Sequence, residues 1–352
     1  MNEKIMYKRQ IGKFFDEVSK DYNFYAPKEI KGNIEFTKIQ NSEEMKLKYF
    51  NSKIPPKEIL FPKAQTLFKY KINGKEIEIE ENTKIAEKNI IFGIRPCDAY
   101  SFNLLENFFS TGKFEDQLFI KKRENTIIMG IGCNIPKETC FCTSVGLHPF
   151  RKEDMDIFLV DLDEKYLIFS ISDKGKGLIN TLKWLKEPNE EDLQNALKLS
   201  ENAELRIKTK IDLEGIDKAL EGNFDHSIWT EISENCLGCG TCSFLCPTCH
   251  CFDVIDENDH YNNRGRRIRI WDTCQFPLYT LHTSGHNPRS NRIQRCRNRI
   301  LHKFSYYPTN YGTIGCVGCG RCIQLCPVNN DLRIILEKLK KIEKEEEEIV
   351  IA

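Results

Sequence analysis

The apolar positions of the first 225 residues follow two periods. Ile11, Phe14, Phe15 and Val18 recur at helical spacing in a polar background, which predicts an amphipathic helix near the N-terminus. Residues 67–72 and 75–80 flank Asn73-Gly74, a strong short-range signal for a hairpin. Continuous apolar runs at 90–94, 127–131 and 157–160 predict buried strands, with a helix over 99–109 between the first two that carries Phe102, Leu105 and Phe109 along one side. Leu178, Leu182 and Leu185 mark another helix, and 190–199 a further one. This alternation predicts an α/β domain over residues 1–225, a sheet covered by helices. It leaves the strand order open.

The pattern changes after His226. From there to Pro327 the chain is rich in Cys, Gly, Arg and aromatics and has few long apolar periods, the mark of a short domain organised around something other than a hydrophobic core. Beyond Asp331, the apolar stretch 332–336 leads into the charged run 338–348, which reads as a solvated helix that frays. The expected boundaries are therefore 1–225, 226–335 and a charged C-terminal tail at 336–352.

Composition narrows the function. With 52 Lys+Arg against 52 Asp+Glu in 352 residues, the formal net charge is zero, which argues against a bulk electrostatic binder of nucleic acid. The chain is 40% hydrophobic and 30% charged, so it is not disordered. No apolar run is long enough to span a bilayer, and Met1-Asn2-Glu3-Lys4-Ile5 does not lead into a signal-peptide core. A cytoplasmic protein is expected. There are 16 cysteines, and 12 of them fall between Cys236 and Cys326, so in a reducing compartment they read as metal ligands or redox groups.

Their spacing is specific. Cys236, Cys239, Cys242 and Cys246 stand as C-x2-C-x2-C-x3-C-P, and Cys316, Cys319, Cys322 and Cys326 repeat the pattern 80 residues later. Three thiolates from one tight loop reach three corners of a cubane, glycines let the backbone approach the inorganic sulfides, and the fourth cysteine ligates the other cluster. One [4Fe–4S] cluster then takes Cys236, Cys239, Cys242 and Cys326, and the other takes Cys316, Cys319, Cys322 and Cys246. Zinc sites use two C-x2-C pairs around one ion, which fits this duplicated run poorly. The fold expected for 226–335 is a smaller, mostly helical ferredoxin-like domain with two [4Fe–4S] clusters. No thiolate is missing from either set, which favours conduction of electrons over catalysis.

Cys97 lies between a predicted strand and helix, Cys133 ends the next strand, and Cys140-Phe141-Cys142 follows in a loop. Strand ends are where α/β sheets collect ligands, so these four are candidates for a third cluster; the alternative is small buried side chains. Cys249-His250-Cys251 and Cys274, with a nearby His or Asp, are candidates for a further metal site, a redox-active pair or packing. Cys296 has no partner by spacing and reads as structural. From Tyr261 to Ser305 nine arginines and Lys303 face a single acid, Asp272. Charge compensation of anionic clusters, with docking to an acidic partner or anionic cofactor, explains this better than nucleic-acid binding. His282 and His286 read as structural. No dinucleotide or Walker fingerprint, nucleophile elbow or H-E-x-x-H occurs.

These motifs resemble a known family. CLGCGTCSFLCPTCHCFD from Cys236, WDTC at Trp271, GHNPR at Gly285, the stretch 297–303 and CVGCGRC from Cys316 are similar to the beta subunit of cytoplasmic sulfhydrogenases, and to the related iron–sulfur component of anaerobic sulfite reductase. FGIRPCD from Phe92, Cys133 and CFC at Cys140 extend the resemblance to the first domain. It implies an iron–sulfur subunit of a soluble anaerobic hetero-oligomer, non-catalytic alone. Such a subunit relays electrons between an FAD- and NAD(P)H-binding flavoprotein and a catalytic partner, either a nickel–iron hydrogenase or a sirohaem sulfite reductase, without nucleic acid or membrane. The resemblance carries over the eight motif cysteines and matches the other seven, Cys296 excepted. Two rivals remain: an iron–sulfur redox sensor that binds nucleic acid, and an enzyme whose reactive site is Cys249, Cys251 and Cys274.

Overall fold

The computed structural model describes residues 2–81, 87–259 and 261–351, with side chains described as far as residue 342. Its strands, in chain order, are β1 (Asn2–Tyr7), β2 (Asn23–Ile30), β3 (Asn33–Lys38), β4 (Ala64–Asn73), β5 (Glu76–Glu81), β6 (Asn89–Ile94), β7 (Thr126–Ile131), β8 (Ile157–Asp161), β9 (Lys165–Ser170), β10 (Phe252–Asp259) and β11 (Arg264–Trp271). Seven of them form one sheet in the order β1-β9-β8-β7-β6-β2-β3. Its centre, β2-β6-β7-β8, is parallel, and its rims are antiparallel. Strands β6 and β7 are buried at every position because both faces are covered. Ile91 and Ile128 point to the face packed by Phe102, Leu105 and Phe109, whereas Ile90, Phe92, Ile127 and Met129 meet Phe14, Phe15 and Val18. The apolar runs are continuous for this reason.

The expected helices form at Ile11–Val18, Pro96–Phe109 and Glu190–Leu205. Pro96 starts its helix at the first turn, where a missing N–H costs nothing. The helix expected through Leu178, Leu182 and Leu185 ends earlier, at Thr181. Leu182 leaves helical geometry, and Lys186 instead exchanges backbone hydrogen bonds with Ile5 on the open edge of β1, the N–H of Ile5 donating at 2.7 Å. Satisfying that edge outweighs one more helical turn.

The region after His226 holds helices and, beside them, two strands that the expected mostly helical domain does not include. Strands β10 and β11 join β4 and β5 in a four-stranded antiparallel sheet, order β10-β11-β4-β5, that draws on both sides of the chain. Strand β10 is exposed from Asp253 to Asp259. Charge pairs across it, Asp256 with Arg267 at 2.7 Å and Glu257 with Arg266 at 2.6 Å, supply the cross-strand contacts that apolar pairs would otherwise make. An apolar core is present here too: Trp229, 1% exposed, packs with Leu220, Leu301, Phe304 and Leu336. The helix Leu332–Ile351 runs unbroken past residue 335, and Leu336 and Leu339 are buried on it rather than solvated. The acidic part of the run beyond 342 lies outside the described side chains.

The α/β sheet and the second cysteine motif meet closely. The Phe141 N–H donates to the Gly318 carbonyl at 2.9 Å. Arg321, inside that motif, grips Asp98 with two N–H groups at 2.6 Å each, and its Nε donates to the Ser52 carbonyl at 2.8 Å. Arg321 is 2% exposed and Asp98 0%. Removing one partner from such a pair leaves a bare buried charge, so Asp98→Ala should cost about 3–5 kcal/mol in denaturant unfolding. Gly318 has φ +60°, and a Cβ there would stand 2.5 Å from the Cys142 backbone nitrogen. Gly318→Ala should therefore loosen the same junction, seen as faster proteolysis of the 133–142 segment, while Gly177→Ala, where a Cβ meets nothing within 4 Å and φ is not positive, should not.

Candidate iron–sulfur centre

The two cysteine motifs fold into matching loops. Gly238 and Gly240 sit at φ +64° and +76°, and Gly318 and Gly320 at +60° and +72°. These left-handed positions bend each loop so that three thiols face one side, a conformation that glycine alone adopts without strain. The N–H of Gly238 donates to Cys236 Sγ and that of Gly318 to Cys316 Sγ, both at 3.4 Å, and Asn330 N–H reaches Cys326 Sγ at 3.3 Å. Backbone donors aimed at sulfur stabilise thiolate and lower its basicity. A one-turn helix closes each loop, at Thr241–Phe244 and at Arg321–Gln324.

The thiols line hollows. The first, of about 70 Å³, is bordered by Cys236, Cys239, Cys242 and Cys326. The second, of about 10 Å³, is bordered by Cys246, Cys316, Cys319 and Cys322. Each hollow thus includes three cysteines of one motif and the last of the other, the first being bordered by Cys296 and Cys322 as well. Cys322 and Arg299 border both. The first lies nearer solvent, since Cys239 is exposed while Cys316 and Cys319 are each 8% exposed. Among the described residues, no group of three or more His, Cys, Asp or Glu side chains is placed to hold a single metal ion.

Two more hollows take up the remaining predicted cysteines. Cys97, Cys133, Cys140 and Cys142 line one of about 30 Å³ at the C-terminal ends of the parallel strands β6 and β7, and Cys319 borders it from the second motif. Arg95 holds those strand ends together, donating to the Gly132 carbonyl at 2.9 Å and to the Phe50 carbonyl at 3.1 Å. Cys249, Cys251 and Cys274 line the other, of about 10 Å³, with His250, His302, Arg299 and Lys303. His250 stacks on Phe108 at 3.9 Å, and its Nδ1 contacts the Thr248 carbonyl at 3.2 Å. His302 opens a π-helical turn, His302–Tyr306, that carries Lys303 inward.

The electrostatics suit anionic sulfur. Arg295, Arg299 and Lys303 are 6%, 8% and 4% exposed, and recur at four-residue intervals on one helix side. Their hydrogen-bond partners are carbonyls and a hydroxyl: Ser290 for Arg295, Cys242 for Arg299 at 2.8 Å, and Thr248 Oγ1 and Gly315 for Lys303. Burying cations with no carboxylate beside them is costly, and thiolate-ligated iron–sulfur groups supply the opposing charge. Burial pushes the Cys316 thiol up to about 11 and the Cys140 thiol up to about 12, and raises Cys97, Cys133 and Cys322 as well. Such thiols become thiolates on binding a metal. The neighbouring Cys296 thiol holds Cys236 down to about 6. The donor set, the glycine bends and the buried cations all fit [4Fe–4S] groups.

Several functional neighbours escape a reading by spacing. Cys296 borders the first hollow, and Gln275 joins it to Cys274: its Oε1 accepts from Cys296 Sγ at 3.8 Å and its Nε2 donates to Cys274 Sγ at 3.5 Å. The helical interval of Arg295, Arg299 and Lys303 was the available signal. The basic stretch divides: Arg266, Arg267 and Arg269 pair with Glu257, Asp256 and Asp116, and Arg295 and Arg299 turn inward.

A family model described as a 4Fe-4S dicluster domain matches residues 235–330. The sulfhydrogenase 2 subunit beta of Pyrococcus furiosus is 30% identical over 329 residues, covering 93% of this chain and 95% of that protein. No solved structure matches the chain. Among the described residues, no helix is long and apolar enough to cross a membrane. With that similarity along nearly the full length and a dicluster domain over the paired motifs, the chain belongs to the family of sulfhydrogenase beta subunits and is an iron–sulfur electron-transfer subunit.

Proposed function

We propose that this subunit relays single electrons through two [4Fe–4S] clusters ligated crosswise, one by Cys236, Cys239, Cys242 and Cys326 and the other by Cys316, Cys319, Cys322 and Cys246. The observation that carries the reading is the pair of adjoining hollows, each bordered by one of these sets, with Cys322 common to both. A third cluster, held by Cys97, Cys133, Cys140 and Cys142, extends the relay into the α/β sheet; the contact of Cys319 with that hollow supports it. Cys249, Cys251 and Cys274 line a further hollow with His250 and His302, though these side chains are not placed to hold a single metal ion. The 226–335 segment acts as the ferredoxin-type unit and 1–225 as its α/β support. The partners are an FAD- and NAD(P)H-binding flavoprotein and either a nickel–iron hydrogenase or a sirohaem sulfite reductase as the catalytic component, in a cytoplasmic complex.

Iron analysis of anaerobically purified chain should give about eight irons from the two ferredoxin-type clusters and about twelve with the third. Cys133→Ala should lower the count by about four and leave the spectra of the paired clusters in place. A wild-type count of about eight would remove the third cluster. Cys239→Ala should abolish turnover of the catalytic partner driven by NAD(P)H, yet leave its activity with artificial dyes. Unchanged coupled turnover in that variant would falsify the relay.

A further inference from the structure

Arg299 borders three of the four thiol-lined hollows: the one with Cys236, Cys239, Cys242 and Cys326, the one with Cys246, Cys316, Cys319 and Cys322, and the one with Cys249, Cys251 and Cys274. It lies on the last turn of the helix Arg292–Leu301, is 8% exposed, and its Nη2 donates to the Cys242 carbonyl at 2.8 Å. Lys303, one turn on, borders only the second and third of these hollows. The two buried cations therefore differ in reach.

We propose that Arg299 is a shared redox-tuning residue, one fixed positive charge that raises the reduction potentials of both ferredoxin-type clusters together. The proposal rests on the two-cluster reading above. Each cluster gains one negative charge on reduction, so a cation beside it stabilises the reduced form more than the oxidised form. Away from solvent that attraction is strong and poorly screened by salt. A guanidinium suits the position because it stays charged when buried and its fork serves several acceptors. Arg299 thereby moves the two clusters in step. The gap between their potentials is left to local differences, among them the exposure of Cys239 and the buried Lys303 beside the second cluster alone.

The test is a reductive titration of the full-length, iron-replete chain followed by electron paramagnetic resonance, with the two signals assigned through Cys239→Ser. Arg299→Gln should move both midpoints to more negative values, and Arg299→Lys should move both less. Lys303→Met should shift the cluster of Cys316, Cys319, Cys322 and Cys246 and spare the other. Arg299→Gln with wild-type iron content and either midpoint unmoved overturns the proposal. If that variant fails to hold iron, the other two decide: Arg299→Lys moving one midpoint and sparing the other, or Lys303→Met shifting both equally, overturns it. A wild-type chain without two interacting cluster signals would instead refute the two-cluster reading itself.

Discussion

Arg295, Arg299 and Lys303 enter the interior from one side of a helix and end among thiols, with carbonyls and a hydroxyl as their hydrogen-bond partners. Desolvating such groups costs several kcal/mol each unless opposite charge stands beside them. Here the source of that charge is sulfur, and buried thiols become anionic when iron holds them. The cations and the iron–sulfur groups thus require one another.

The same matching of charge governs how the α/β sheet meets the cysteine motifs. Arg321 lies between two motif cysteines, Cys319 and Cys322, and reaches Asp98, which follows Cys97 in the chain. One buried ion pair thereby ties the second motif to the start of the helix Pro96–Phe109. Cys319 borders the hollow of its own motif and the hollow at the ends of β6 and β7. The sheet brings Cys97 and Cys133 to the same edge because β6 and β7 are adjacent and parallel. The two thiol-lined hollows adjoin because these elements pack against one another.

Much of the fold was legible where one force dominated. Strands β6, β7 and β8 show as apolar runs because both faces are covered, and the β4–β5 hairpin shows in Asn73-Gly74, where Gly74 adopts φ +66°. Strand β10 was not legible: its residues are mostly exposed and more than half of them acidic or Asn, and its register is set by pairing with β11, where Arg266 and Arg267 stand opposite Glu257 and Asp256. The end of the helix Asp173–Thr181 escaped for a similar reason: the chain beyond it is held by hydrogen bonds between Lys186 and Ile5, which lie far apart in sequence. The charged character of the last segment hid Leu336 and Leu339, which dock on Trp229 and Phe304.

Spacing alone singled out the eight cysteines of the two motifs, since three thiols on one tight loop converge whatever surrounds them, and the repeat made a reciprocal pairing the expectation. Local sequence likewise determined the strands and helices of the α/β part, because burial on one or two faces leaves a periodic mark. Tertiary structure decided that Cys97, Cys133, Cys140 and Cys142 share a hollow, that Cys296 stands beside Cys236, and that Arg299 touches three hollows at once. Those relations depend on how distant elements pack, through contacts that have no period along the chain, so only the folded molecule could bring them together.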